Sequence, residues 1–216
     1  MNKIKTAFLA TITLVLIAMA LLLGNIHQDK SEYEAYLSDI LSGQVCILVS
    51  NINTLERTLT EVIEYQTVSK EQATVLYRNS KGMMEREREL FETGVRLGKI
   101  KRNQIDKAIS TSTKLAKYFE KIYTSLSEED LEPLTEVQKE GFEEFQKLVS
   151  LYKEIAKSCV NGVSDTGVKV EYWDEYSTDG VNKRYWVKLI NQLEEVSPGY
   201  EDFVLLNRST DIWNVN

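Results

Sequence analysis

The sequence predicts an all-α protein: an N-terminal transmembrane helix, then an antiparallel four-helix bundle, then a C-terminal aromatic-rich appendage containing a short helix. Three observations carry this. Ile4 to Leu23 is a nearly unbroken apolar run. Residues 31–160 repeat apolar side chains three and four apart, the period of amphipathic helices. The chain has only two prolines, Pro133 and Pro198, so little stands in the way of long helices.

The opening run sets the organisation. A helix rises about 1.5 Å per residue, so the run matches a hydrocarbon core of about 30 Å. Thr11 and Thr13 can bond back to the preceding turn and are tolerable in lipid. Lys3 and Lys5 lie at its front edge, and Asn25, Gln28, Asp29, Lys30 and Glu32 behind it carry little positive excess. The positive-inside rule makes residues 1–3 a cytoplasmic N-terminus and residues 4–24 an anchor in the cell membrane, with everything beyond extracytoplasmic. Ala18-Met19-Ala20 matches the small-x-small pattern of a cleavage site, so the alternative is a protein secreted after cleavage. Retention is favoured because Leu21, Leu22 and Leu23 follow directly and would head the new chain.

Four helices are expected over residues 31–160. The first runs from Glu32 to about Tyr65 along Tyr33, Leu37, Ile40, Leu48, Ile52, Leu55, Leu59 and Val62, the seam of a coiled coil or bundle helix. Ser69 and Gln72 form a capping box for the second, from Lys70 to about Leu97, with Gly98 as its stop. Its apolar side is Val75, Leu76, Met83, Leu90, Phe91 and Val95, with Asn79, Gly82 and Arg86 at or near the seam. The third spans about Asn103 to Ser125, with the apolar stripe Ile105, Ile109, Leu115, Phe119, Ile122 and Leu126. An acidic turn follows, and Pro133 suits the first turn of the fourth helix, which ends near Val160. That helix buries Leu134, Val137, Phe145, Leu148, Tyr152, Ile155 and Cys159.

Residues 161–216 form the C-terminal extension. All three tryptophans, Trp173, Trp186 and Trp213, fall there. A helix from Val181 to about Val196, capped by Asp179, packs through Tyr185, Trp186, Leu189, Ile190 and Leu193. The segment from Gly167 to Trp173 reads as extended chain or a helix start. The favoured role of the aromatic residues is to cap the membrane-proximal end of the bundle as core. The alternatives are a rest on the outer leaflet, or an interaction surface of Trp173, Tyr185, Trp186 and Trp213.

The same residues bound the chemistry. The net charge of −7 argues against a nucleic-acid partner, which would need a basic face. His27 is the only histidine and lies just past the anchor, so no histidine-based catalytic set, di-iron core or zinc site is expected. No catalytic residue, cofactor or metal is therefore assigned. Cys46 and Cys159 can form a disulfide on the extracytoplasmic side, but two buried free thiols fit the expected heights better. Glu85, Glu87, Glu89 and Glu92, interleaved with Arg86 and Arg88, read as a solvated face. Asn79 and Arg86 are candidates for a polar ligand pocket; a rotated second helix would turn both to water.

In architecture alone, an anchor joined to a helical bundle resembles the input domains of bacterial chemoreceptors and sensor kinases. Those continue through a second membrane helix into a signalling module, which this sequence is expected to lack. The functional expectation is a non-catalytic, single-pass, membrane-anchored protein of the bacterial cell envelope that acts through protein–protein interaction, possible self-association included. The alternative is an extracytoplasmic small-ligand sensor with its pocket at Asn79 and Arg86.

Overall fold

The computed structural model describes residues 2–102, 107–127 and 131–200. The chain is mostly helical. Helix α1 (Asn2–Tyr65) is one uninterrupted rod of 64 residues, about 95 Å long. The leader and the first helix were expected as separate elements, 4–24 and 32–65. They fuse because nothing between them ends a helix. Gly24 alone costs only about 1 kcal/mol. The polar residues beyond it support the turns by pairs four residues apart: Gln28 Nε2 donates to Glu32 Oε1 at 3.0 Å, and Lys30 lies 3.6 Å from Glu34.

The rod has two characters. From Leu14 to Ile26 its large apolar side chains are exposed on every face. By length and composition α1 can cross a membrane. Further along, only one side is buried, through Leu41, Val45, Leu48, Ile52, Leu55, Leu59 and Val62, in alternating steps of four and three. Tyr33 and Ile40, expected on that seam, are exposed; Ser38, Leu41 and Ser42 face inward instead.

After α1 come β1 (Thr67–Ser69), α2 (Lys70–Arg96), α3 (Lys107–Ser125), β2 (Leu131–Pro133) and α4 (Glu136–Cys159). The Ser69–Gln72 capping box is present with both reciprocal bonds at 3.1 Å. Gly98, at φ +64°, takes the left-handed turn that closes α2. The expected start of the third helix at Asn103, and Ile105, lie outside the described residues, as do Glu128, Glu129 and Asp130 of the acidic turn.

Pro133 is not in the first turn of α4. It pairs with Thr67 in an antiparallel β1–β2 ladder, and a second capping box, Thr135 with Gln138, opens the helix two residues later. Proline holds the residue before it extended, which suits a strand better than a helix start. Gln138 is accordingly buried and Val137 exposed.

Helices α1 to α4 share one hydrophobic core. Helix α1 packs on α2 and α4, and α2 packs on α3. Where α3 meets α4 the contact is aromatic: Phe145 lies 4.7 Å from Tyr118 and 5.6 Å from Phe119 between ring centroids.

The last described segment joins the same core. It comprises a small hairpin, β3 (Val163–Ser164) and β4 (Gly167–Val168), then α5 (Val170–Tyr176), α6 (Gly180–Lys183) and α7 (Tyr185–Val196). The single helix expected over 181–196 is broken at Arg184, which takes φ +56°. The break lets Tyr185 stack on Tyr176 at 3.8 Å. Asp179 precedes α6 without capping it; its carboxylate accepts from Asn182 Nδ2 at 2.8 Å.

Each capping residue satisfies an otherwise bare helix N–H, so Ser69→Ala and Thr135→Ala should each lower stability by about 1 kcal/mol. Urea unfolding followed by circular dichroism checks this.

Candidate functional site

The expected pocket residues do not converge. Asn79 is half-buried and its Nδ2 donates to Val75 O of its own helix at 2.8 Å. Arg86 Nη1 reaches across to Gln44 Oε1 of α1 at 2.6 Å and to Glu89 Oε2 at 2.5 Å. None of the described clefts is lined by either residue. The buried seam of α2 runs through Ala73, Leu76, Ser80, Met83, Glu87, Leu90 and Gly94. It is one residue removed from the seam that would hold Asn79 and Arg86.

That shift brings in Glu87, which was expected on a solvated face and is 1% exposed. It sits in a polar cluster inside the core. Ser112 of α3 lies near it, but neither carboxylate oxygen nor the Ser112 hydroxyl completes a hydrogen bond of normal geometry. Tyr152 of α4 belongs to the same cluster, and its hydroxyl lies 2.6 Å from Ser197 Oγ at the end of α7. Ser197 Oγ in turn donates to Leu193 O at 2.5 Å, while Thr111 Oγ1 reaches Ser197 O at 3.5 Å. Four elements thus meet around one acid.

Burial pushes the Glu87 carboxyl up to about 8; the Ser112 hydroxyl opposes the rise and the charge of Glu194 adds to it. At neutral pH Glu87 is therefore a neutral acid, able to donate one hydrogen bond. Burial also pushes the Tyr152 phenol far above its ordinary range, so it stays protonated. The arrangement holds a proton in the core.

Two further clusters frame the domain. Tyr172, Tyr176, Tyr185 and Trp186 are buried, so these parts of the aromatic extension are core; Trp173 is partly exposed, and Trp213 lies outside the described residues. The Tyr172 hydroxyl donates to Ser42 O of α1 at 2.6 Å, and Val181 N donates to Ser38 Oγ at 3.0 Å. These bonds dock α5 and α6 on α1. On another face, Asp165 of the β3–β4 hairpin bridges Lys153 at 3.0 Å and Lys157 at 2.7 Å; Lys153 also reaches Glu56 of α1 at 2.5 Å. The two lysines hold the Asp165 carboxyl down at about 2. This network borders an open cleft of about 440 Å³.

Cys46 and Cys159 are free thiols, and Cys159 Sγ donates to Gln192 Oε1 at 2.8 Å. Among the described residues no three His, Cys, Asp or Glu side chains gather as a metal site. Comparison with protein-family models, curated proteins and solved structures finds no match to this chain.

The signal for Glu87 was present in the sequence. Extending Leu76, Met83 and Leu90 by alternating steps of three and four lands on Ser80, Glu87 and Gly94. The flanking charges Arg86 and Arg88 masked it.

Because the folded state keeps a proton on Glu87 up to about pH 8 and the unfolded chain loses it near 4.5, stability contributed at this site falls as pH rises through that window. Holding the proton at pH 7 costs about 3 kcal/mol. Glu87→Gln, neutral and similar in shape, should therefore stabilise the protein at pH 7 and 8 by a few kcal/mol and change little at pH 4.5. Thermal melts of both proteins across that range measure the difference.

Proposed function

We propose that this is a single-pass, membrane-anchored protein whose extracytoplasmic domain, an antiparallel four-helix bundle completed by the C-terminal aromatic segment, acts by binding other proteins at the cell envelope. One observation supports the anchor above all: Leu14 to Ile26 present apolar side chains on every face of α1, and no part of the described chain covers them. A helix apolar all round is stable in hydrocarbon and poorly tolerated in water. Lys3 and Lys5 orient the N-terminus toward the cytoplasm.

The unbroken α1 supports the interaction role. The segment that would sit in lipid and the stripe from Leu41 to Val62 that nucleates the core are one rigid element. The domain is then held at a set height and orientation, and confinement to a plane raises its effective concentration toward membrane partners.

Reporter fusions at Asn25 and Asn216 should both report an extracytoplasmic location, and the native protein should stay with membranes through an alkaline wash. A mature chain beginning beyond Leu23, or a cytoplasmic carboxyl end, overturns the reading.

A further inference from the structure

We propose that the outward face of α1 between Tyr33 and Ile47 is a self-association surface, on which a second copy of this chain docks in parallel. The proposal rests on the membrane-anchored reading. Tyr33, Tyr36, Ile40 and Ile47 are 58%, 63%, 38% and 45% exposed, on the side of α1 opposite its core stripe. Tyr33, Ile40 and Ile47 stand seven residues apart, as the first positions of a heptad seam do. Tyr36 and Gly43 take the alternate positions, and a Cβ added at Gly43 would meet nothing within 4 Å. The same face becomes polar beyond, at Ser50, Arg57 and Glu61, so the apolar stripe has an upper end.

Lipid does not cover it. Ile40 and Ile47 lie 16 and 23 residues past Gly24 on an unbroken helix, about 24 and 35 Å beyond the anchor. The headgroup layer extends only about 5–8 Å from the hydrocarbon.

A second copy fits for three reasons. Anchored copies enter the bilayer with the same polarity and at the same depth, so two parallel α1 helices meet in register and the surface is self-complementary about a two-fold axis. At the flanking positions next to the stripe no like charges are set against each other. In a parallel heptad pairing the residue before one seam position faces the residue five further along on the partner helix, which sets Asp39 against the other copy's Gln44. Gln44 accepts from Arg86 at 2.6 Å, and Arg86 is itself paired with Glu89 at 2.5 Å, so Asp39 meets no uncompensated like charge there, while Glu32 faces the apolar Leu37. Finally, the exposed parts of the four side chains amount to roughly 400–500 Å² per copy, against the ~800 Å² usual for a stable complex. Such a surface pairs when copies are already confined side by side.

The test uses the full chain in native membranes, with Cys46→Ser to remove the neighbouring thiol. After an alkaline wash, a thiol-oxidising catalyst is applied to Ile40→Cys, Ile47→Cys and, as a control on the exposed side of α3, Lys117→Cys. The proposal expects a disulfide-linked species at twice the chain mass from the first two variants and none from the third. Adding Ile40→Glu to Ile47→Cys should abolish it with helical content unchanged. Washed membranes that retain the protein but give no such species, equal yields at all three positions, or a product containing a different polypeptide overturn the self-association and leave the anchor standing. Protein released by the wash overturns the anchored reading and this proposal with it.

Discussion

Everything in this molecule is built against the buried stripe of α1. Leu41, Val45, Leu48, Ile52, Leu55, Leu59 and Val62 repeat in steps of four and three, so they stay on one side of the helix for more than 20 residues. Helices α2 and α4 pack on α1 directly, and α3 packs on α2, on α7 and, through Tyr118 and Phe119, on α4. The C-terminal segment is tied to the same helix by Tyr172 and Val181 bonding to Ser42 and Ser38. A helix of this length could not hold one straight course if a proline or a strong cap interrupted it, and neither occurs between residues 2 and 65.

The core built on that stripe is not uniformly apolar. Glu87, Ser112, Tyr152 and Ser197 place a polar patch where α2, α3, α4 and the end of α7 meet. A buried carboxyl is tolerable there because it keeps its proton. The patch also ties a late segment to the interior: Ser197 links Tyr152 on one side with the last turn of α7 on the other. A purely apolar junction would pack as well but would define the seating of α7 less sharply, because dispersion is not directional and hydrogen bonds are.

The regular parts of this arrangement were legible in advance. The Ser69–Gln72 box, the Gly98 stop and the apolar stripes of α3 from Ile109 onward and of α4 from Phe145 onward are local signals, each decided by residues within a few positions of one another. The sequence is ambiguous where a helix has two apolar faces to offer. Tyr33 and Ile40 have the right spacing for a core seam, but so do Leu41 and Val45, and spacing alone cannot say which apolar stripe meets a partner. Arg86 against Glu87 is the same ambiguity one residue apart, about 100° around a helix. Pro133 fits helix-start rules locally, but its partner in the fold, Thr67, lies far off in sequence.

The sequence by itself determined the helical character, the apolar leader, most helix ends and the oxidised-or-free choices open to two cysteines, because these follow from composition and from neighbours in the chain. The tertiary structure alone decided that leader and first helix are continuous, that Glu87 is inside while Tyr33, Tyr36, Ile40 and Ile47 are outside, and that the chain breaks at Arg184 to stack Tyr185 on Tyr176. Those outcomes depend on which surfaces are covered by elements remote in sequence. A periodic pattern carries that information only up to a rotation about the helix axis.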